Sequence, residues 1–266
     1  MSVQHVSDCF RLQNDVDSLG SWCVLNNMKL NISKCSTISF TRGKAAIVYQ
    51  YSLQNEILKR VDSLRDLGVI FHKSLSFNLH FESILNRANR MVGFLKRSCR
   101  DFYPMAVIRL YYALVRPILE YCCIVWCPIY GIHVHRLEAV QRKFVNYVLF
   151  RLNIDRRGYS YEERLSMVGL QSLETRRKIS LTRYGYKILR GVVNCSELFA
   201  LINRRIPAYV TRLVQPYLLP FHRTNYGLHS PVSLILRLLN EVSSECDVDR
   251  CSLPELNRTL LRIWPT

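Results

Sequence analysis

The chain has 266 residues, enough for one large domain or two ordinary ones, and its 49% of apolar residues excludes wholesale disorder. The formal net charge of +17 suits a polyanionic partner, most often nucleic acid, although an acidic protein or a membrane surface would also fit. Residues 76–190 carry 20 Lys and Arg against 8 Asp and Glu. This concentration favours a binding face over a role in solubility alone.

Ten cysteines are present, but none form a C-x-x-C motif, which argues against a zinc ribbon or a thioredoxin-like site. A chain this long and apolar does not need disulfides to hold its fold. The first residues lack the apolar core of a signal peptide, and no run reaches the ~18 apolar residues of a membrane span. We therefore expect a reduced intracellular protein, nuclear or cytoplasmic, that is not secreted and has no membrane partner.

The first part of the chain reads as one helix followed by strands. Apolar residues recur at helical spacing over residues 9–26, and Asn26 and Asn27 indicate the end of that helix. Alternating apolar and polar residues, with turn residues at 41–44, predict four strands at residues 35–40, 47–53, 57–61 and 67–71.

Gly68 interrupts the last of these strands. A glycine in a short apolar run indicates a bend, or a backbone that lies close to something else. The simpler interpretation is a turn glycine in an ordinary hairpin.

From Phe77 onward the spacing becomes helical. One long helix follows Phe77, a second begins at Pro104 and is kinked or restarted at Pro117, and a third covers residues 134–152. Residues 118–126 form a segment that is apolar on nearly every side, and they are predicted to be buried. Further on, two more helices are predicted, one near residues 232–241 and one after Pro254.

Basic side chains flank the apolar stripes of these long helices and form the candidate nucleic-acid-binding set. Such a face can follow phosphates without reading sequence, and its affinity falls steeply with salt. The alternative is a solvated surface stripe. The predicted binding residues are Arg87, Arg90, Lys96, Arg97, Arg142, Lys143 and Arg151, and Arg156 and Arg157 belong to the same basic face. Tyr103, Tyr111 and Tyr112 could stack on bases, but tyrosines at helical spacing are more often core or rim residues.

Several segments resemble one family of polymerases. Residues 12–23, 30–35 and 38–42 read L-Q-N-D-V-D-S-L-x-x-W-C, L-N-x-x-K-C and I-S-F-T-R. Residues 110–144 contain L-Y-Y-A-L-V-R-P-I-L-E-Y, V-W-C-P-I-Y and R-L-E-A-V-Q-R-K-F. In this order they resemble non-LTR (jockey-type, LINE-like) retrotransposon reverse transcriptases. The resemblance covers about residues 12–206 and is to the C-terminal part of the polymerase, from the end of the palm through the thumb to a downstream connector.

The pattern and the resemblance together predict an α+β fold, with a small antiparallel sheet and one or two helices followed by a mainly α-helical bundle. The resemblance implies a palm remnant at residues 1–75, a thumb-like bundle at 76–158 and a helical connector at 159–206. Frequent prolines after this point predict a loosely packed tail at residues 207–266.

The resemblance also gives a role to the hairpin around Gly68. In the family, the corresponding hairpin is the primer grip, whose backbone positions the end of the primer. It would comprise Asp66, Leu67, Gly68 and Val69.

The intact family makes DNA on an RNA template with two Mg²⁺ ions held by carboxylates, among them an adjacent Asp-Asp pair. This chain contains no Asp-Asp pair. It is therefore predicted to be inactive alone, with no catalytic residue, no metal ligand and no cofactor of its own. Asp247 and Asp249 form an acidic cluster with Glu245, but in a tail without a strand scaffold, and His133 and His135 are too few ligands for a metal site.

The predicted partner is an RNA–DNA template–primer duplex, and the missing upstream polymerase part is a second candidate. No small-molecule substrate is indicated. The alternative interpretation is a non-catalytic helical module, derived from such an element, that binds nucleic acid or another protein.

Overall fold

The computed structural model describes residues 3–41, 47–205 and 215–265. The chain divides into two compact units, Met1–Glu82 and Ser83–Thr266. The α+β class is confirmed, since small two-stranded sheets occur in the first unit and helices dominate the second. The four-part division of the chain stays a prediction. Most of the predicted turn at 41–44 lies outside the described residues.

The first unit begins with helix α1, Val6–Leu25. The Asp8 carboxylate accepts hydrogen bonds from the backbone N–H groups of Gln4 and His5, and these bonds lower the pKa of Asp8. The helix ends where the sequence predicted, and Asn27 adopts a left-handed φ of 54°. The Gln13 amide both donates to and accepts from the backbone of Ser52, which ties α1 to the sheet region.

A 3-10 turn, Ile32–Lys34, leads into six short strands among the residues that the structure describes. Instead of one antiparallel sheet they form three two-stranded ladders, one of them parallel. The pairs are β1 (Ser36–Thr37) with β4 (Lys59–Arg60), β2 (Ser52–Leu53) with β3 (Glu56–Ile57), and β5 (Ser63–Asp66) with β6 (Val69–His72).

The predicted strand over residues 67–71 is wrong at its start. Leu67 and Gly68 have φ values of 43° and 88° and form the turn between β5 and β6, with Asp66 opposite Val69. Two consecutive positive φ values are those of a tight hairpin turn and cannot continue a strand. The simpler interpretation of Gly68, a turn glycine, is the one that the structure supports.

Seven elements make up the first half of the helical region. Pro117 stands in the first turn of α4, directly after a π-helical segment, so the predicted restart at this proline is confirmed. The elements are α2 (Asn78–Ser98), α3 (Pro104–Leu110), the π-helical segment Tyr111–Val115, α4 (Arg116–Glu120), α5 (Cys123–Trp126), α6 (Gly131–Arg151) and α7 (Tyr161–Val168).

Five more helices follow in residues 173–205 and 215–265. The helices are α8 (Leu173–Leu189), α9 (Ser196–Ala200), α10 (Asn225–Leu228), α11 (Pro231–Ser243) and α12 (Leu253–Ile263). None of the described helices has both the length and the apolar character that a bilayer crossing requires.

The prediction of a loosely packed tail is wrong for α11 and α12. Leu236, Leu239, Leu256 and Leu260 are fully buried in one apolar cluster that also includes residues of α8. Frequent prolines suggested loose packing, but those of α11 and α12 lie in the first turn of each helix, where the missing N–H costs nothing. Residues 206–214, where the tail would begin, lie outside the described residues.

Candidate nucleic-acid interface

An open groove of about 750 Å³ lies in the second unit, between α2, α6 and the loop that follows α6. We call it the basic groove. Its lining residues are Lys96, Lys143, Asn146, Tyr147, Phe150, Asn153, Ile154, Asp155, Arg156 and Arg157.

The groove wall on α6 is a helical face. Lys143, Asn146, Tyr147 and Phe150 follow the i, i+3, i+4, i+7 spacing that places residues on one side of a helix. The opposite side of α6 is buried and includes Phe144. The packing of α6 therefore exposes this wall as a unit.

The loop that closes the groove follows a helix cap. Asn153 has a left-handed φ of 55°, its N–H donates to the carbonyl of Phe150, and the N–H of Ile154 donates to the carbonyl of Leu149. These two bonds are those of a Schellman motif, which turns the chain sharply at a helix end. The turn brings Arg156 and Arg157 to the groove.

Positive charge accumulates in the groove with little compensation. Burial and the nearby Lys143 ammonium both lower the pKa of Lys96. Asp155 is the one carboxylate among the described lining residues, and Arg157 pairs with it at 3.2 Å. Lys96, Lys143 and Arg156 thus remain as cations without a carboxylate within the groove.

Two neutral groups position the lysines. The Lys143 ammonium donates to Asn89 Oδ1 at 3.2 Å. The Lys96 ammonium lies 5.5 Å from the centre of the Tyr147 ring, within range of a cation–π contact. Neither contact neutralises a charge, so both ammonium groups stay available to an anion.

The structure brings together only part of the predicted binding set. Lys96 and Lys143 line the groove, whereas Arg87, Arg90 and Arg97 are exposed elsewhere on α2. At about 100° per residue, Lys96 lies roughly 180° around the helix from Arg87. A single flat surface cannot contact both sides of α2 at once.

Arg142 and Arg151 already contact other parts of the fold. The Arg142 guanidinium lies 4.7 Å from the centre of the Tyr161 ring. Arg151 donates to the carbonyls of Cys99 and Phe102, at 3.1 and 2.7 Å, and so connects the end of α6 to the chain between α2 and α3. Their roles in binding stay predictions.

The predicted primer grip is the β5–β6 turn of the first unit. Leu67 is 82% exposed at its tip, and Val69 is buried beneath it. The exposed turn backbone could be reached by a partner, but its proposed role stays a prediction.

The predicted tyrosines separate into core and surface. Tyr111 is fully buried, stacks on Phe144 at 4.3 Å and donates to Gln141 Oε1, and burial raises its pKa. Tyr112 donates to the carbonyl of Gly169, whereas Tyr103 is 85% exposed. Tyr111 is therefore a core residue and cannot stack on a base.

Phe150 is the groove residue that the sequence analysis missed. Arg156 and Arg157, which the sequence assigned to the same basic face, lie in the loop after α6. The available signal was an apolar residue at helical spacing from Lys143, on the polar side of α6. Within the described parts of the chain, no group of three or more His, Cys, Asp or Glu side chains could hold a metal ion.

Comparisons with known proteins give two distant similarities. The chain is 27% identical over 142 residues to the uncharacterized protein B0403.1 of Caenorhabditis elegans, a match that covers 53% of this chain and 71% of that protein. It is 23% identical over 145 residues to the RNA-directed DNA polymerase from mobile element jockey of Drosophila funebris, covering 50% of this chain and 15% of the polymerase. No protein-family description and no solved structure matches.

Proposed function

We propose that this chain derives from a non-LTR retrotransposon reverse transcriptase, that it corresponds to the C-terminal part of the polymerase, and that by itself it binds nucleic acid without extending it. The distant similarity to the jockey polymerase supports the origin. The predicted template–primer duplex, with its dense phosphate charge, is the partner that we assign first.

The observation that carries the binding proposal is the convergence of Lys96, Lys143 and Arg156 in the basic groove without a carboxylate partner there. Bringing like charges together costs a few tenths of a kcal/mol per pair at a helix surface. Burial, and after it the nearby Lys143 ammonium, lower the pKa of Lys96. A bound polyanion would make the electrostatic energy of the two lysines favourable, since its phosphates compensate both ammonium groups at once.

Catalysis is not part of the proposal. Two Mg²⁺ ions would supply charge stabilisation at the reacting phosphate in the intact family. The sequence has no Asp-Asp pair, and the described residues form no three-ligand cluster, so these residues do not fit such a pair of ions. In this proposal the upstream polymerase part provides that chemistry.

A primer-extension assay tests the catalytic half of the proposal. We expect the purified chain to add no nucleotide to a primed RNA template with either Mg²⁺ or Mn²⁺. Metal-dependent extension by the chain alone would show that the assignment is wrong.

A salt titration of binding to an RNA–DNA duplex tests the other half. For Lys96→Gln/Lys143→Gln we expect affinity to fall roughly tenfold at moderate salt and the salt slope to lose about 1.8, because each phosphate contact contributes about 0.9. The matched control is Arg87→Gln/Arg90→Gln, which removes the same charge from another side of α2. It should bind nearly as the unmodified chain does.

The outcomes separate the alternatives. Equal losses in both double variants would mean that binding is real but is not located in the groove. No measurable binding at low salt would mean that the groove is a solvated basic surface, and would favour a module that contacts another protein.

A further inference from the structure

Phe150 is unusual among the groove residues because its aromatic side chain is largely exposed to solvent. It is 74% exposed, although it lies on a long, otherwise well-packed helix. Its helical spacing from Lys143 places both on the same wall of the basic groove.

Tyr147, the other aromatic residue in the groove, does not offer a comparable surface. Lys96 and Arg151 lie 5.5 and 5.8 Å from the centre of its ring, and Arg151 also donates to its hydroxyl at 3.0 Å. Tyr147 is therefore held by its neighbours. Phe150 has no ring or cation contact among the described residues, so a face of its ring is open.

An exposed ring beside unpaired cations matches the two needs of a single-stranded nucleic acid. Phosphates require positive charge, and unpaired bases gain from stacking on an aromatic side chain regardless of sequence. A base inside a duplex already has both faces covered by its neighbours. Phe150 can therefore distinguish a single strand from a duplex, which Lys96 and Lys143 cannot do.

We propose that the basic groove binds single-stranded nucleic acid, with an unpaired base stacked on Phe150 and the flanking phosphates on Lys96, Lys143 and Arg156. This inference rests on the proposed function and narrows it, since it names an unpaired segment as the part of the nucleic acid that this groove holds. A duplex then binds through its charge alone.

Substitutions at Phe150 separate stacking from apolar contact. We expect Phe150→Ala to weaken binding of a 12-nucleotide single strand roughly tenfold at fixed salt, the range for loss of one base stack. Phe150→Leu keeps an apolar side chain without the ring and should lose nearly as much, whereas Phe150→Trp should bind at least as tightly as the unmodified chain. Because the side chain is exposed, circular dichroism should show an unchanged fold for each variant.

Two further ligands serve as controls for charge. Inorganic polyphosphate carries the negative charge without bases, and a blunt duplex of the same length keeps its bases covered. Phe150→Ala should bind both as the unmodified chain does, and its salt slope should be unchanged. Lys96→Gln/Lys143→Gln should weaken the binding of all three ligands.

Two results would overturn the inference: full single-strand affinity in Phe150→Leu, or equal losses of single strand and duplex in Phe150→Ala. If Lys96→Gln/Lys143→Gln loses affinity for the single strand and Phe150→Ala does not, the proposed stacking on Phe150 is wrong, whereas the proposed function stands. If the lysine variant loses no affinity for any of these ligands, the groove itself is not the binding site.

Discussion

Two regions of the second unit are rich in Lys and Arg, but they use the charge differently. Along α8, arginines are held by the fold, whereas in the basic groove Lys96, Lys143 and Arg156 have no carboxylate partner there. The number of basic residues in a stretch therefore does not indicate whether they bind a ligand. What matters is how many acceptors the fold brings to each cation, and whether one of them is a carboxylate.

Three arginines on α8 or directly after it show this use, whereas two nitrogens of the buried Arg177, also on α8, have no hydrogen-bond partner among the described residues. Arg176 pairs through two nitrogens with the Glu120 carboxylate, which raises the pKa of Arg176. Arg183 donates to Asn257 at 2.7 Å, and Arg190 donates to the carbonyl of Asp249 at 2.8 Å. These bonds connect α8 to α4 and to the C-terminal segment, so we expect these three arginines to stabilise the fold.

The largest effect should come from removing Arg176, in the first turn of α8. We expect Arg176→Met to lower the free energy of unfolding by roughly 2–3 kcal/mol, because it leaves the half-buried Glu120 with a weaker partner. Urea denaturation measures this change. Nucleic-acid affinity of the folded variant should not change.

A surface pair provides the control for that prediction. The side chain of Arg250 is 90% exposed, 3.6 Å from Asp247, and Arg250→Met should change stability by less than about 0.5 kcal/mol. Similar losses of unfolding free energy in the two variants would mean that the Arg176–Glu120 pair contributes no more to stability than an exposed pair.

A smaller effect should follow from filling the closest approach of α8 to α11. A Cβ added at Gly185 would lie 2.5 Å from Cγ2 of Ile235, so Gly185→Ala should cost roughly 1–2 kcal/mol through overpacking. The same substitution at Gly93, on α2, meets only the end of the Arg97 side chain, at 3.3 Å. There we expect a gain of about 0.5–1 kcal/mol from helix propensity.

Thermal unfolding of the two alanine variants tests this pair directly. A stabilised Gly185→Ala variant would show that α8 and α11 are not packed as closely as the structure indicates. It would also remove the contrast between a tightly packed α8 and a more open α2.

The smallest predicted effect is a gain in stability. Lys96→Gln should raise the free energy of unfolding by about 0.3 kcal/mol, because it relieves repulsion from Lys143. Arg87→Gln, on the other side of α2, should show no such gain. A destabilised Lys96→Gln variant would contradict the view that this charge is unfavourable until a ligand binds.

The pH dependence follows from the same lowered pKa. Lys96 releases its proton at a lower pH when folded than when unfolded, so the unfolded state holds more protons in that window. Stability should therefore rise as the pH increases through the interval just below the ordinary lysine pKa, and Lys96→Gln should lack this contribution. Urea titrations at several pH values measure the difference.

Much of the helical architecture could be predicted from local patterns. The stop at Asn27, the restart at Pro117 and the helix after Pro254 each follow from the backbone preferences of a single residue type. The strands were harder, because pairs only two residues long leave a weak alternating pattern, and Leu67 takes a positive φ that its side chain does not predict.

Taken alone, the sequence determined the class of the fold, the order of its long helices and the concentration of positive charge, because propensity and periodicity are local properties. Only the tertiary structure decided which cations were paired. Arg151 and Arg176 found acceptors far along the chain, whereas Lys96 and Lys143 were placed together beside Phe150 without a carboxylate partner in the groove. The pairing of a cation depends on its distance from residues that are remote in sequence, and those distances are set only when the helices pack.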